Sequence, residues 1–380
     1  MADLEHIINF AGLRIINISV LRVNLPESIF YILLSEQIYL KINGYRFTAP
    51  QLVLGHIMKG VLPLLVIQIA FLVSTVNASE LIYGRAPTEF VENGEAISLE
   101  IIIFKPHGPG PFPTLMFNHG STGSDANPAY FKTSYTARSL AFYFNEREWL
   151  VAFPQRRGRG RSDGVYDEGL EPNGPGYSCD PEISLRGLER ALQDLDSAVK
   201  YLKSRPDVDS KLMLIGGQSR GGILSIAYAG TRPEHFNAAI NFVGGWIGER
   251  CSEIEEINTV TFKRGAGFNK PTLWLYGEND SCYSLTHSRK NFDIFIAAGG
   301  KGSFLTYSLG TAKDGHQLIY KPNLWREAVD SFIKNFSRNR EDEDITVKLK
   351  RKIFIYSVIE VILAILLLGF SFFLISLLLS

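Results

Sequence analysis

The clearest chemical pattern in this 380-residue sequence is the Gly-Gln-Ser-Arg-Gly run at residues 217–221. It follows the apolar run 211–215, which is typical of a buried strand, and precedes the small and apolar residues 222–229, which suit a helix. A strand, a sharp Gly-x-Ser-x-Gly turn and a helix together expose the serine hydroxyl for nucleophilic attack. Glycines flank the serine because larger side chains would collide with the neighbouring backbone. The pattern therefore predicts Ser219 as a nucleophile.

A serine hydroxyl attacks only when a base takes its proton and a third group orients that base. In this kind of strand–turn–helix arrangement the acid follows the serine in the chain, and the histidine comes last. Asp280 follows a strand candidate at 272–276, and open α/β sheets build their sites at the carboxyl ends of strands. Glu278 is the alternative acid. His316 is the predicted base because it follows the last strand candidate, whereas His287 precedes that strand.

The tetrahedral intermediate of such a reaction needs hydrogen-bond donors for its oxyanion. The backbone N–H of Arg220 is the first predicted donor, since Arg220 directly follows the nucleophile. The second donor is expected from the His-Gly-Ser-Thr-Gly loop at 119–123, where glycine lets the backbone approach the reacting carbonyl. Ser121 is the predicted residue, with Thr122 as the alternative.

The substrate pocket is less well marked in the sequence. Trp246 follows a strand end and is a candidate for lining the acyl pocket, with His119 as a second candidate. The irregular insertion 165–184 is long enough to overhang the site, although it and Trp246 could equally serve packing. The arginine-rich segment 156–161 either binds an anionic group or is a structural turn with surface charges, and the turn is favoured.

Strand candidates alternate with helical segments through the centre of the chain. Residues 97–104 and 114–118 are predicted to form a hairpin around the Pro- and Gly-rich turn at 106–111. Further strands are predicted at 149–153, 238–243, 272–276 and 304–307, with an amphipathic helix at 185–202 and a last helix at 324–336. This alternation predicts an α/β fold with a mostly parallel sheet and helices on both faces.

The net charge and the cysteine content of the chain indicate which ligands and partners to expect. The formal net charge is zero, which gives no hint of nucleic-acid binding. The three cysteines lack metal-ligand spacing, so neither a metal nor a cofactor is predicted. Their odd number allows one disulfide and one free thiol, or three free thiols. If the chain is exported, Cys179 and Cys251 are expected to pair, which leaves Cys282 free.

With these motifs together, the chain resembles the serine α/β-hydrolases and is similar to the dienelactone hydrolase and prolyl-oligopeptidase-like branch. The resemblance covers about residues 90–338 and is carried by the motifs at 119–123, 157–164, 217–221, 277–280 and 315–316. It implies the α/β-hydrolase fold and cleavage of carboxylic esters or short peptides through an acyl-enzyme on Ser219. Dienelactone hydrolases use a cysteine nucleophile, so their substrate is not carried over. The alternative is a non-catalytic protein of the same fold that serves binding or adhesion.

Both ends of the chain carry membrane signals. Residues 361–379 are uncharged, and the apolar stretch reaches back to 353, which is enough to cross a bilayer core of about 30 Å. Residues 58–78 have a basic start, an apolar core and a small-residue exit, the anatomy of a secretory signal cleaved after Ala78. Because residues 1–57 come first, either translation starts at Met58 or the segment is an uncleaved signal anchor.

The predicted layout has five parts. They are an unassigned extension at 1–57, a signal peptide or anchor at 58–78, the hydrolase domain at 79–338, a charged linker at 339–352 and a transmembrane helix at 353–379. The signal predicts a periplasmic or extracellular catalytic domain that residues 353–379 hold to membrane lipid. The basic cluster at 348–352 favours the opposite orientation under the positive-inside rule. The signal outweighs it because three of its features match.

Overall fold

The computed structural model describes residues 79–121, 131–173, 176–310 and 313–337, together with the backbone of three strands near the N-terminus. The predicted signal at 58–78 and the predicted transmembrane helix at 353–379 lie outside these residues. Within the described ranges, no helix has both the length and the apolar character needed to span a bilayer. The chain divides into two units between Val76 and Asn77.

The first unit contains a small antiparallel sheet. Its strands are β1 (Ile29–Leu34), β2 (Gln37–Ile42) and β3 (Tyr45–Thr48), with β2 in the middle. The sequence had left this region unassigned.

The second unit is built on one eight-stranded sheet. Its strands are β4 (Glu80–Glu92), β5 (Glu95–Lys105), β6 (Phe112–Asn118), β7 (Leu150–Pro154), β8 (Val208–Gln218), β9 (Ala238–Phe242), β10 (Thr272–Gly277) and β11 (Gly302–Tyr307). The strand order is β11-β10-β9-β8-β6-β7-β5-β4. Strands β6 to β11 pair in parallel, and β5 runs antiparallel to both of its neighbours. The predicted mostly parallel sheet is confirmed.

The predicted hairpin between residues 97–104 and 114–118 is wrong. β5 pairs with β4 and β7, while β6 lies between β7 and β8. The reason is burial, since six of the seven β6 residues are buried, which suits a central strand. The true hairpin joins β4 to β5 through Asn93 and Gly94, both with positive φ.

Helices cover the sheet. They are α1 (Arg138–Asn145), α2 (Pro181–Lys203), α3 (Arg220–Thr231), α4 (Val260–Arg264), α5 (Leu285–Ala297) and α6 (Pro322–Ser337). α2 and α6 contain the two predicted helices. α2 begins where the Asp180 side chain accepts the N–H of Ile183, and Pro181 stands at its first turn, where no backbone donor is needed.

The strand order decides where a site can form. β6 and β8 are neighbours, and from this pair successive strands are added toward opposite edges of the sheet. Such a switch point opens a crevice at the carboxyl ends of the strands. Asn118 at the end of β6 pairs in register with Gly217 of β8, so the chain segments that leave the two strands emerge side by side.

Candidate active site

Ser219 occupies the turn between β8 and α3. Its backbone has φ 57° and ψ −124°, a left-handed conformation that a non-glycine residue rarely adopts. The Ser219 N–H donates to the carbonyl of Phe242 at 2.9 Å, which holds the turn against β9. A Cβ on Gly221 would lie 2.1 Å from the carbonyl oxygen of Asn118, so the chain passes this point only with glycine. The geometry is that of a nucleophile elbow.

The structure brings Asp280 and His316 together. Nδ1 of His316 lies 3.1 and 3.0 Å from the two carboxylate oxygens of Asp280. The Asp280 side chain is fully buried, and its Oδ1 also accepts the backbone N–H groups of Cys282 at 2.8 Å and Tyr283 at 2.9 Å. These donors fix the carboxylate, which can therefore fix the ring of His316. The alternative acid, Glu278, is exposed.

The loops that carry Asp280 and His316 are tied to each other. The Ser281 hydroxyl donates to Oδ2 of Asp314 at 2.7 Å, and the N–H of Gly315 donates to the carbonyl of Asn279 at 3.2 Å. Asp314 also accepts the N–H of His316 at 2.9 Å. The loop after β11 therefore holds the imidazole over the end of β10.

Two contacts place His316 beside the elbow. The side-chain amide of Gln218, the residue before Ser219, donates to the carbonyl of His316 at 3.2 Å. The ring of Tyr283 lies 5.7 Å from the ring of His316, and its hydroxyl lies next to Ser219 and donates to the carbonyl of Gly245. Among the described residues, no hydrogen bond joins the Ser219 hydroxyl to His316. Such bonds are often long before substrate binds.

The predicted oxyanion loop lies against Ser219. A Cβ on Gly120 would be 3.1 Å from Cβ and 3.7 Å from Oγ of Ser219, so this glycine allows a close approach. Ser121 follows it and is exposed, while Thr122 lies outside the described residues. Arg220 is the first residue of α3, where backbone N–H groups have no acceptor within the helix. Both predicted donors thus belong to segments that border Ser219.

His119 lies behind this loop rather than on an open pocket wall. The residue is fully buried, and Nε2 accepts the backbone N–H of Arg156 at 3.2 Å. Nδ1 lies 2.8 Å from the carbonyl of Gly120. Burial and the nearby cations Arg156 and Arg159 hold the pKa of His119 well below its ordinary value, so the imidazole is neutral. These contacts show that His119 anchors the predicted oxyanion loop to the segment that begins at Arg156.

Trp246 is also enclosed, with 1% of its surface exposed. Its indole N–H donates to the carbonyl of Ser184 at 3.0 Å. The guanidinium carbon of Arg220 lies 3.8 Å from the Trp246 ring and 3.6 Å from the Tyr177 ring. Trp246 therefore faces the side chain of Arg220, the residue that follows Ser219. Sequence reasoning missed the burial of this arginine side chain, because its two aromatic neighbours lie far away in the chain.

The arginine-rich segment forms a structural turn, but the expectation of surface charges holds only for Arg161, which is exposed, and is wrong for the other three arginines. Arg156, Arg157 and Arg159 are each at most 7% exposed. Arg156 pairs with Glu168, and Arg157 pairs with Asp194. Buried arginines need such partners because an uncompensated charge is costly away from water. The partners Glu168 and Asp194 lie in the insertion and in α2, and no sequence pattern indicates that these acids pair with the arginines.

The insertion before α2 is tied down by a disulfide. Cys179 and Cys251 are joined with a Cα–Cα distance of 5.3 Å, as expected for an exported chain, and Cys282 is free. The segment does not stand away from the domain, since Tyr166 and Glu168 are buried in it.

One group of residues at the site could ligate a metal ion. Asp280, Cys282 and His316 each bring a ligand atom within 4.8 Å of the others. The same carboxylate oxygens of Asp280 accept the hydrogen bonds that orient His316, so a metal and the Asp280–His316 contact would compete for them.

A family model described as the prolyl oligopeptidase family matches residues 182–247. The match spans α2, β8, the elbow, α3, β9 and Trp246. No curated protein sequence matches the chain at a significant level.

Several solved structures are similar. An acylaminoacyl peptidase from Pyrococcus horikoshii is 17% identical, with 79% of this chain and 45% of that chain covered and a TM-score of 0.47. A protein from Klebsiella pneumoniae that is described as a dienelactone hydrolase is 20% identical, with 66% of this chain and 98% of that chain covered and a TM-score of 0.43. Est1E from Butyrivibrio proteoclasticus, solved with ferulic acid, is 17% identical, with 69% and 100% covered and a TM-score of 0.44. The chain spans less than half of the peptidase.

These TM-scores are too low to support a conclusion about activity. The assignment of the fold therefore depends on the sequence and structure of this chain. The family match falls on the segment that carries the elbow. The chain order of Ser219, Asp280 and His316 is the order in which α/β-hydrolases place nucleophile, acid and base. The chain therefore has the fold of the α/β-hydrolases, and within residues 182–247 it is similar to the prolyl oligopeptidase family.

Proposed function

We propose that this protein hydrolyses carboxylic esters, or short peptides, through an acyl-enzyme on Ser219. His316 takes the proton of the Ser219 hydroxyl and passes it to the leaving group, while Asp280 orients the imidazole. The observation that carries the proposal is the strained Ser219 turn, which borders the Gly120 loop and lies beside the buried contact between Asp280 and His316. Water then attacks the acyl carbon as His316 takes its proton, and His316 returns that proton to the Ser219 oxygen when the bond to the acyl group breaks and the carboxylic acid leaves.

In this proposal the backbone N–H groups of Arg220 and Ser121 bind the oxyanion of the tetrahedral intermediate. Donors of this kind stabilise the transition state more than the ground state, because the charge develops only as the bond forms. The support is positional, since α3 begins at Arg220 and Gly120 contacts Ser219.

A fluorophosphonate probe tests the nucleophile. Wild-type protein should be labelled on Ser219, and Ser219→Ala should lose both labelling and turnover. Ser288→Ala is the matched control, because Ser288 is another buried serine, in α5, and is not part of the predicted triad. Labelling that persists in Ser219→Ala would show that the nucleophile is another residue.

Substrate class is tested with p-nitrophenyl esters of increasing acyl length and with peptide p-nitroanilides. We expect ester turnover that varies with acyl length. Turnover of anilides alone would make the protein a peptidase. No turnover of either class, with no labelling, would favour the non-catalytic binding protein.

We also propose that the catalytic domain works outside the cytoplasm, held to the membrane by residues 353–379. The disulfide between Cys179 and Cys251 supports this location, because disulfides persist in oxidising compartments. The signal-like segment 58–78 supports it independently.

A further inference from the structure

The side chain of Arg220 is buried directly behind the nucleophile. It is 2% exposed and lies between the rings of Tyr177 and Trp246. None of its three guanidinium nitrogens donates a hydrogen bond within the described part of the chain. The carboxylate that forms an ion pair with it there is Glu168, with NH1 and Oε2 3.9 Å apart. A planar guanidinium suits such a stack between aromatic rings.

Glu168 is shared with a second arginine. Its Oε1 accepts a hydrogen bond from Nε of Arg156, and both side chains are at most 3% exposed. Arg156 donates in turn to the carbonyl of His119 through two nitrogens, at 3.0 and 3.1 Å. Glu168 thus lies between Arg220, which follows the nucleophile, and the arginine that holds the loop at 119–121.

The charge on Glu168 is maintained by these neighbours. Burial raises the pKa of this carboxyl, but the guanidinium groups of Arg156 and Arg220 and the hydroxyl of Tyr166 outweigh burial and hold the pKa below its ordinary value. The carboxylate is therefore ionised at neutral pH. Among the described residues, no other carboxylate forms an ion pair with Arg156 or Arg220.

A disulfide cross-links the two chain segments that carry the aromatic neighbours of Arg220. Tyr177 lies two residues before Cys179, and Trp246 lies five residues before Cys251, and these cysteines form the disulfide. The disulfide therefore joins the two chain segments whose aromatic rings pack on either side of the Arg220 guanidinium.

We infer that Glu168 is a positioning residue for the oxyanion hole, whose carboxylate, shared by Arg156 and Arg220, fixes the loop at 119–121 relative to the turn at Ser219. The inference rests on the proposed function. Glu168 touches neither the substrate nor the reacting atoms. Its effect passes through the two segments that carry the proposed donors, and these donors stabilise an oxyanion only when both stand at hydrogen-bond distance. A displacement of about 1 Å is enough to cost about 100-fold in rate.

The test compares two isosteric variants of the full chain. Glu168→Gln keeps the shape of the side chain and removes its charge. Asp194→Asn is the matched control, because Asp194 is an equally buried carboxylate that pairs with Arg157 and contacts neither Arg220 nor the oxyanion loop. The measurements are kcat and KM for p-nitrophenyl acetate, the melting temperature, and the affinity of an alkyl trifluoromethyl ketone, whose serine adduct carries an oxyanion.

We expect Glu168→Gln to lower kcat by about 10- to 100-fold with KM within about threefold of wild type, and to weaken the ketone by a similar factor. Asp194→Asn should leave the affinity of the ketone and kcat within about threefold. A purely structural role would move the melting temperature without this selective loss. Glu168→Asp, which keeps the charge, should restore part of kcat.

Unchanged kcat and ketone affinity in Glu168→Gln would overturn the inference, and so would equal losses in Asp194→Asn. If Glu168→Gln does not fold, Arg220→Lys takes its place, since lysine keeps the charge but cannot stack as a plane between the rings. It must show the same selective loss, and an unchanged kcat overturns the inference. A wild-type protein that is neither labelled at Ser219 nor active would show instead that the proposed function itself is wrong.

Discussion

His119 is an ordinary histidine by sequence, and its surroundings give it an unusual protonation behaviour. Burial, followed by the cations Arg156 and Arg159, lowers the pKa of His119 well below 6.5. The unfolded chain takes up a proton near this pH, whereas the folded chain does not. The contribution of neutral His119 to stability is therefore fully present above about pH 6.5 and is lost as the pH falls, by about 1.4 kcal/mol per pH unit.

His119→Gln should remove this dependence. Its free energy of unfolding should decline less than that of the wild type between about pH 6.5 and pH 5, because the unfolded variant has no imidazole to protonate at this position. Urea titrations at several pH values measure the difference. Parallel pH profiles for the two proteins would show that His119 titrates normally in the fold.

Single substitutions also test whether Asp280 or Glu278 is the acid that orients His316. Asp280→Asn keeps the shape but no longer stabilises the protonated imidazole, so kcat should fall by about 10⁴-fold. Glu278→Gln should leave kcat within about threefold, because Glu278 is exposed and the carboxylate that contacts the His316 ring is that of Asp280. Steady-state kinetics on a p-nitrophenyl ester measure kcat of both variants. A large loss of kcat in Glu278→Gln with little loss in Asp280→Asn would make Glu278 the orienting acid.

At the scale of elements, the elbow depends on close backbone contact. Gly221→Ala would place a Cβ 2.1 Å from the carbonyl oxygen of Asn118, so β6 and α3 would have to separate. Gly248→Ala is the matched control, since its nearest neighbour, the carbonyl oxygen of Cys282, would lie 3.7 Å away. We expect Gly221→Ala to lose activity and soluble yield and Gly248→Ala to retain both, measured by expression and ester turnover. An active Gly221→Ala would contradict the tight elbow.

The disulfide acts on a larger element, because it closes a loop with a sequence separation of 72 residues. Replacing both Cys179 and Cys251 by alanine should lower the free energy of unfolding by about 2–4 kcal/mol, since the unfolded chain is then less constrained. Cys282→Ala removes no cross-link and should cost far less. Urea unfolding measures both variants. Three alkylatable thiols in natively purified protein would show that the disulfide does not form.

At the scale of the whole molecule, the prediction concerns location. Mature protein should begin near Ser79, and removal of residues 353–379 should transfer it from the membrane to the soluble fraction, because an uncharged apolar run of that length partitions into a bilayer. N-terminal sequencing, fractionation and protease accessibility in intact cells test these points. A Met1 start with a protected catalytic domain would place the enzyme on the cytoplasmic side.

Sequence alone was sufficient to predict the parallel sheet and to select Ser219, Asp280 and His316 as the candidate triad. These predictions depend on local signals. A strand, turn and helix around a serine are encoded within about fifteen residues, and the order of acid and histidine follows the order of strands along the chain. The prediction of a pair between Cys179 and Cys251 depended on the compartment, and the structure forms that pair.

Only the tertiary structure decided which strands are neighbours and which charges are buried. The predicted hairpin failed because β7, which comes later in the chain, lies between β5 and β6. Arg220 and Glu168 are 52 positions apart, so no local pattern relates them, yet they form an ion pair next to the Ser219 turn. His119 and Trp246 likewise became enclosed residues through contacts with distant segments. Burial and pairing of charges follow from the packing of the whole chain, because each depends on partners that short-range periodicity does not encode.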